Sequence, residues 1–261
     1  MIVGVEIDMN NIFDNPIIFQ ENNETDHIDV DGLEQMENYY VRGFVQDGGE
    51  KVYSDNVLTF QTKANLPSQL QMVEYLESDY DSYIILNLID VADITDIKCR
   101  CKGYGGNYSI FGAQMDNGVA LKLGSDIDNS YYFSYFSQQQ IRSTQSSNDD
   151  VNFYCDNGEM IHFNDEEIFN SFARDGFGII KMMLFGNNNY GNLEPYLHSR
   201  IYYFKTNNCL LVPCYVRPGE NIVDTNGRTR LPGDCGFYDV MNNNFYSNDG
   251  TGTFIPGNDV N

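Results

Sequence analysis

Short runs of apolar and aromatic residues, separated by glycine, asparagine and aspartate, recur along the second two-thirds of this 261-residue chain. The clearest runs are residues 131–136, 177–185, 201–205 and 210–216, and the turn signals between such runs include Asp156-Asn157-Gly158, Asn226-Gly227 and Asp249-Gly250. Runs of this kind between turn residues are typical of antiparallel strands. Residues 71–261 are therefore predicted to form a two-sheet antiparallel sandwich. One short helix is expected near residues 164–172, with Asn164 as its cap and Glu167 three residues further on.

Residues 1–63 form a smaller block with its own strand pattern. The stretch from Asn38 to Val45 alternates with the two-residue period of a strand. Asp47-Gly48-Gly49 marks a hairpin turn, and a second strand is expected from Val52 to Thr62. Residues 64–70 are interpreted as a linker between this block and residues 71–261.

Charge excludes one class of partner and leaves others open. The formal net charge is −23 and no cluster of lysine or arginine offsets it, so binding to nucleic acid is not expected. The charge can serve solubility alone, calcium binding, or docking to a basic partner. We expect no cofactor, and calcium is the one candidate ion. No apolar run reaches the roughly 18 residues of a membrane span, and the segment that begins at Met1 does not resemble a signal peptide, so neither membrane insertion nor export by the usual signal is expected.

The cysteines are interpreted as thiols rather than as disulfides or zinc ligands. The six are Cys99, Cys101, Cys155, Cys209, Cys214 and Cys235. Cys99 and Cys101 are two residues apart, so in a strand they share a face and do not easily bridge each other. Zinc sites usually place two to four residues between paired cysteines, and here there is one. We expect buried, reduced thiols, as in a protein that folds in a reducing compartment.

The first block resembles the end of a fibronectin type III-like domain. The matching positions are Gly32-Leu33, Tyr39-Tyr40-Val41-Arg42, Tyr53-Ser54, Val57, Phe60 and Thr62. The resemblance implies a small immunoglobulin-like or fibronectin-like sandwich over residues 1–63. Few residues precede Gly32 compared with that family, so the sandwich is expected to be incomplete or to be completed by another chain. Open sheet edges would then make this block an attachment unit.

The second block resembles the concanavalin A-like, or laminin G-like, jelly-roll domain of phage virion proteins and of Bacteroidetes surface proteins. Its opening stretch carries Leu66-Pro67 and 73–78, and a strand like that of the family spans 110–113. The positions that carry the motif are Glu74, Tyr75, Gly112, Gly236, Tyr238, Asp239, Phe245, Gly250 and Phe254. Tyr80 and Ile85 depart from the family pattern. The closing motif from Gly236 onward is expected to seal the sandwich, with the Asp239 carboxylate accepting backbone N–H groups near a turn.

The sequence contains no convincing catalytic constellation. Related folds include glucanases that place acidic residues on one strand, and the nearest string here is Glu6-Ile7-Asp8, which lacks the third carboxylate and lies outside the matching block. The acidic neighbours near Glu159 have the spacing of a solvated helix start. The three histidines, His27, His162 and His198, are scattered. An enzyme is therefore not expected.

Glycan binding is the more serious functional expectation. Sugar rings stack on aromatic rings, and amide groups hydrogen-bond to hydroxyls, so the loop-like segments rich in both are candidates. The candidate binding residues are Tyr104, Asn107, Tyr108, Asn187, Asn188, Asn189 and Tyr190. Ordinary turn chemistry is the preferred explanation of the same residues. The alternating Tyr131, Phe133 and Tyr135 are interpreted as core instead.

The family resemblance implies a non-catalytic structural protein of a phage virion, such as a head or tail fibre, decoration or adhesin component. It would join other virion proteins or form a homo-oligomer through residues 1–63, and would display the jelly roll toward a cell-surface glycan. Assembly would take place in the host cytoplasm. The alternatives are a glycan-binding module on a bacterial cell surface and, less favoured, a glycoside hydrolase.

Overall fold

The structure is a computed structural model that describes residues 1–21, 27–79, 81–170, 174–176, 178, 180–195 and 198–260. The chain divides into two compact units, Met1–Asn65 and Leu66–Asn261, which we call unit 1 and unit 2. Strands make up 52% of the chain, so the all-β expectation is confirmed. In the part of the chain that is described, helical structure is limited to a single 3-10 turn, Val91–Asp93.

Unit 1 is built around one antiparallel sheet of five strands. They are β1 (Ile2–Asp8), β2 (Ile17–Glu21), β3 (Asn38–Asp47), β4 (Glu50–Tyr53) and β5 (Leu58–Gln61). The order is β2-β1-β3-β4, and β5 pairs with β3 beyond the end of β4. The expected strand from Asn38 and the turn at Gly48-Gly49 are confirmed, whereas the strand expected from Val52 to Thr62 is interrupted between Tyr53 and Leu58. The described residues of this unit form no second sheet.

Unit 2 contains two large antiparallel sheets. Its strands are β6 (Leu70–Met72), β7 (Leu76–Glu77), β8 (Ile84–Leu86), β9 (Asp96–Lys102), β10 (Tyr108–Gln114), β11 (Ala120–Ser125), β12 (Ser130–Ser137), β13 (Ile141–Ser146), β14 (Val151–Asp156), β15 (Met160–Phe163), β16 (Glu166–Phe169), β17 (Met182–Leu184), β18 (Gly186–Asn189), β19 (Asn192–Pro195), β20 (Arg200–Thr206), β21 (Cys209–Val216), β22 (Ile222–Val223), β23 (Thr229–Arg230), β24 (Cys235–Asp239), β25 (Asn244–Ser247) and β26 (Ile255–Pro256). Residues 66–70, interpreted from sequence as part of a linker, belong to this unit, and the buried Leu70 pairs with Val216 on β21.

The smaller sheet follows the order β13-β12-β11-β10-β17-β8, with the β18–β19 hairpin attached to β10. The larger sheet follows the order β16-β15-β14-β9-β20-β21-β24-β25, with β6, β7 and β26 joined at its side. A third pair, β22 and β23, forms a short hairpin. Most connections between neighbours in these orders are antiparallel and short in sequence, as the recurring turn signals predicted.

Aromatic side chains from both sheets meet in the core of unit 2. Phe133 of the smaller sheet packs against Phe153 of the larger sheet with ring centroids 4.7 Å apart, and Phe111 packs against Phe204 at 5.1 Å. All four are buried. Burying a side chain of this size contributes roughly 1.5–3 kcal/mol relative to leaving it in water. Tyr131, Phe133 and Tyr135 all belong to this core, so that interpretation is confirmed.

The turn signals act in two different ways. At Asn157 and Gly158 the backbone has φ of 46° and 73°, the left-handed pair that a tight β14–β15 hairpin needs. Gly250 instead allows a close approach, because a Cβ there would overlap the backbone carbonyl of Asp81. The same dipeptide type therefore marks a hairpin in one place and a packing contact in the other.

The helix expected near residues 164–172 is wrong for the part that is described; residues 171–172 lie outside the described residues. Asn164 has a φ of 55° and sits in the turn that joins β15 to β16, rather than capping a helix. Glu166, on β16, hydrogen-bonds to the hydroxyl of Ser143 and accepts the Thr144 N–H at 3.0 Å. These bonds join the edge strands of the two sheets, a tertiary contact that decides strand over helix.

Candidate functional site

The closing motif seals the end of unit 2. Asp239 is fully buried, and its carboxylate accepts the backbone N–H groups of Leu210 at 3.2 Å and Met241 at 3.1 Å. The expectation that this carboxylate accepts backbone N–H bonds is confirmed. Gly236, Tyr238, Phe245 and Phe254 are also buried, and Gly250 packs against the backbone of Asp81. The Asn242 side chain donates to the other carboxylate oxygen at 2.7 Å, so both oxygens take part in contacts that hold the strands together.

The opening of unit 2 is also held by internal contacts. The Tyr75 ring lies 3.8 Å from the guanidinium carbon of Arg200, and Gly257 packs on the same ring. Glu74 accepts a hydrogen bond from the Asn258 side chain at 3.0 Å. The first and last strands of the unit are thereby fastened to each other.

The first candidate binding segment lies in the loop before β10. Tyr104, with a φ of 56°, donates its hydroxyl to Glu77 at 2.9 Å, and Arg200 donates to the same carboxylate oxygen. Burial raises the pKa of Tyr104, and the hydrogen bond to Glu77 raises it further. Asn107 is exposed and Tyr108 is half-buried at the start of β10. Of these residues, Asn107 is the most accessible.

The second candidate segment forms the β18–β19 hairpin. Asn187 and Asn188 are buried, while Tyr190 is 59% exposed. Asn188 donates to the Lys181 carbonyl at 2.7 Å and accepts the Gly191 N–H at 3.0 Å, and Asn189 donates to Glu194 at 3.0 Å. The side-chain oxygen of Asn187 is buried without a partner. Most of this amide chemistry therefore builds the hairpin.

The two segments lie at opposite ends of one strand. Tyr108 begins β10, and Gln114, which pairs with Asn189, ends it. A seven-residue strand is about 20 Å long at the usual rise per residue. The two groups of residues therefore do not converge on a single sugar-sized site. Gly112, between them, faces Asn187 and Lys122.

The acidic string near the start of the chain forms an ion cluster. Glu6 accepts hydrogen bonds from Arg42 at 2.6 Å, Lys51 at 2.8 Å and Tyr53 at 3.0 Å. Burial raises the pKa of Glu6, but the bonds from Lys51, Arg42 and Tyr53 outweigh burial and hold the pKa below its ordinary value of 4.5. A carboxylate held ionised by two cations is a poor proton donor, so Glu6 is not suited to act as a general acid.

The histidines are spread over both units, and each has other contacts. His162 stacks on Tyr154 with ring centroids 5.7 Å apart and lies 4.0 Å from Glu167. The His198 ring packs edge-on against Tyr104. Among the described residues, no group of three or more His, Cys, Asp or Glu side chains is placed to hold a metal ion. In the same residues, no helix is long and apolar enough to cross a membrane.

Exposed apolar side chains share one side of the sheet in unit 1. On β1, Val3, Val5 and Ile7 point to one side of the sheet, and their partners Val45, Gly43 and Val41 on β3 point to the same side. The neighbouring strands add Ile17, Phe19, Val52, Leu58 and Phe60 to this side. We call this side, from Val3 and Ile17 across to Val52 and Phe60, the open face.

The open face is covered only in part. Ile7 and Tyr39 are buried, and the Glu34 N–H donates to the Tyr39 hydroxyl at 3.0 Å. Leu58, which pairs with Val41 in the same row as Ile7, is 66% exposed, and Val52, at the other end of the face, is 72% exposed. A monomeric protein rarely leaves a continuous apolar patch of this kind in water, so the open face is a candidate interaction surface.

A groove of about 610 Å³ runs over the open face. Its floor is formed by Val5, Val41 and Gly43, and its walls include Ile28 and Val30 on one side and Val52, Ser54 and Phe60 on the other. Sequence reasoning anticipated open edges in this block but missed the groove. The alternation along β1 and β3 was visible in the sequence, but the register that unites their apolar positions was not.

No known protein family, curated protein or solved structure matches this chain.

Proposed function

We propose that this chain is a non-catalytic structural protein of a phage virion, a fibre, decoration or adhesin component. Unit 1 attaches to other virion proteins, or to further copies of the chain, and unit 2 is a concanavalin A-like jelly roll displayed to the surroundings. The single observation that carries the proposal is the open face of unit 1. An apolar sheet face in a chain of net charge −23 is best accounted for by a partner that covers it.

The energetics support attachment through unit 1. Apolar surface removed from water contributes roughly 25 cal/mol per Å², so covering side chains as exposed as Val52 and Leu58 favours association. Unit 1 also has a free backbone edge along β2, where Ile17 and Ile18 are both 46% exposed. Edge strands of this kind pair readily with another chain. Unit 2 has a core of its own and needs no partner to bury it.

Deletion of unit 1 tests the proposal. Tagged full-length chain and residues 66–261 are produced in the host during particle assembly, and native particles are purified on a density gradient. We expect the full-length chain to sediment with particles and the truncated chain to remain folded and soluble in the unbound fraction. Equal incorporation of the truncated chain, or absence of the full-length chain from particles, would overturn the proposal.

A second candidate function is a glycan-binding module of a bacterial cell surface. It is favoured by the ring of Tyr190, which is 59% exposed at the turn between β18 and β19. A sugar face can stack on an exposed aromatic ring. Calcium is the one ion that the sequence suggested, so glycan binding is measured with and without it.

Glycan arrays test this second function. The wild-type chain is compared with Tyr190→Ala, and with Ile127→Ala as a control at another exposed apolar position, which is 83% exposed. We expect a glycan signal that falls with Tyr190→Ala and not with Ile127→Ala. A wild-type chain that binds no glycan with or without calcium would remove this candidate. A glycoside hydrolase is the least favoured alternative, and release of reducing ends would support it.

A further inference from the structure

Gly43 opens the groove of unit 1. It lies on β3 between Val41 and Val45 and opposite Val5. A Cβ added at Gly43 would find no atom nearer than Ser54, at 3.9 Å, and the backbone of Gly43 is outside the left-handed region that favours glycine. Glycine weakens a strand interior, and it often marks a place where another backbone approaches closely. The backbone at position 43 therefore does not require glycine, and the missing side chain leaves space in the groove.

The groove is neutral inside and acidic around its rim. The side chains that line it are apolar or uncharged, apart from His27. Exposed carboxylates stand next to the lining residues: Asp29 between Ile28 and Val30, Asp55 after Ser54, and Asp47 and Glu50 at the tip of the β3–β4 hairpin. Asp47 and Glu50 pair with each other two residues beyond the Val45–Val52 pair, so they lie on the same side of the sheet as the groove. A bound segment would therefore meet an apolar floor with carboxylates near it.

The cations of unit 1 do little to neutralise that rim. Residues 1–65 contain thirteen aspartates and glutamates against three lysines and arginines. Two of the three cations, Arg42 and Lys51, bind Glu6 on the opposite face of the sheet. The potential around the groove is consequently set by carboxylates.

We propose that the groove of unit 1 binds an apolar segment of a different protein, flanked by lysine or arginine. The apolar part would fill the space over Gly43, and the flanking cations would face Asp29, Asp47, Glu50 and Asp55. A second copy of this chain fits less well, because it brings the same acidic rim and like charges oppose each other across an interface. The inference rests on the proposed attachment role of unit 1 and adds the chemistry of the partner.

Two synthetic peptides test the charge requirement against the full-length chain. Both carry three valines separated by threonines and a fluorescent label; one is flanked by two lysines on each side and the other by two glutamates. Fluorescence anisotropy is recorded in 20 mM and 300 mM salt. We expect the lysine-flanked peptide to bind at least ten-fold more tightly than the glutamate-flanked one, and to weaken at high salt because exposed charges are screened.

Substitutions then locate the peptide. Gly43→Val fills the groove with a residue that favours strands, and should weaken binding of the lysine-flanked peptide at least ten-fold while circular dichroism stays that of the wild type. Asp29→Asn combined with Asp55→Asn should reduce the advantage of the lysine-flanked peptide several-fold. Ile18→Thr is the control, since Ile18 is 46% exposed but lies on the opposite face beside Glu6, and it should leave binding unchanged.

Three results would overturn the inference: equal binding of the two peptides, undiminished binding by folded Gly43→Val, or a wild-type dimer in sedimentation that Gly43→Val dissociates. The last result would place a second copy in the groove. These measurements need no particle. If the peptides do not bind but the chain still enters particles, only this inference is wrong. If the lysine-flanked peptide binds but the chain never enters a particle, only the virion role is wrong.

Discussion

Replacing Asp224 by alanine removes the acceptor at the centre of a buried polar cluster in unit 2. The carboxylate is fully buried and accepts hydrogen bonds from Ser247 at 2.6 Å, Arg228 at 2.7 Å and Arg230 at 2.8 Å. It also accepts the backbone N–H groups of Asn226 and Arg228, both at 2.9 Å. The cluster fixes the β22–β23 hairpin against β25, so its loss is expected to lower the stability of unit 2.

The size of the expected stability loss depends on the burial of Asp224 and on the access of its arginine partners to water. Breaking a buried ion pair by removing one partner typically costs about 3–5 kcal/mol. Arg228 is 40% exposed and also binds Asp249, so it keeps a partner and access to water. We therefore expect a loss near the lower limit, about 3 kcal/mol. For a domain of this size that corresponds to a fall in Tm of about 6–12 °C.

Differential scanning calorimetry of the full-length chain measures this change in the transition of unit 2. The control is Asp128→Ala, which removes an exposed carboxylate that also accepts a side-chain hydrogen bond, from Ser130 at 2.7 Å. We expect the control to leave the Tm unchanged. A fall of less than 2 °C with Asp224→Ala, about the smallest shift that 1 kcal/mol produces in a domain of this size, would refute the argument from burial.

The pH dependence provides a second check. Burial raises the pKa of Asp224, but the hydrogen bonds from Ser247, Arg228 and Arg230 outweigh burial and hold the pKa well below its ordinary value of 3.8. The unfolded chain thus binds the proton more readily than the folded chain does. The contribution of the carboxylate is complete above that ordinary value and is lost as pH falls toward the folded-state pKa. The difference in Tm between wild type and Asp224→Asn should be constant between about pH 5 and 8 and should shrink below about pH 4.

Three further predictions concern other parts of the molecule. Glu6→Gln leaves Arg42 and Lys51, which are partly exposed, without their carboxylate. It should lower the free energy of unfolding of unit 1 by about 3 kcal/mol, the lower limit for a buried pair, in a urea titration. An unchanged midpoint would mean that water replaces the carboxylate. In the native chain only Cys235 should react with a thiol reagent, and the reaction should be slow because burial raises the pKa of Cys235 to about 11. The other five thiols are buried and should react only in urea. Fast reaction of two or more thiols in the native chain would contradict this. Finally, the chain should release no reducing ends from β-glucans above a heat-killed control, and a release that depends on dose would show that a catalytic pair was overlooked.

Local sequence determined much of the strand content. The alternation from Asn38 and the aromatic positions of β12 predicted strands because a side chain changes face at every residue. The Asn157-Gly158 turn was readable because its left-handed backbone favours those two residues. The bond from the Met241 N–H to Asp239 was readable as well, since a carboxylate near a turn accepts nearby N–H groups; the bond from the Leu210 N–H was not. In each readable case the physical cause acts within a few residues.

Contacts between distant residues decided the rest. Residues 164–169 have the composition of a helix start, yet Glu166 bonds to Ser143 and Thr144 across the edge of the smaller sheet, and the segment is a strand. Asn187 looked like a loop residue but is buried in a hairpin beside Gly112. No local pattern reveals such contacts, because they depend on which strands become neighbours.

The groove of unit 1 shows most clearly which features local sequence determines and which depend on the tertiary structure. The alternation from Asn38 determined that Val41 and Val45 share a face of one strand. Only the tertiary structure decided that Val3 and Val5 lie on the same side of the sheet, through the pairing of Val5 with Gly43, and that much of the combined surface stays exposed. Register and coverage are properties of the whole sheet, since both are set by residues far apart in the chain.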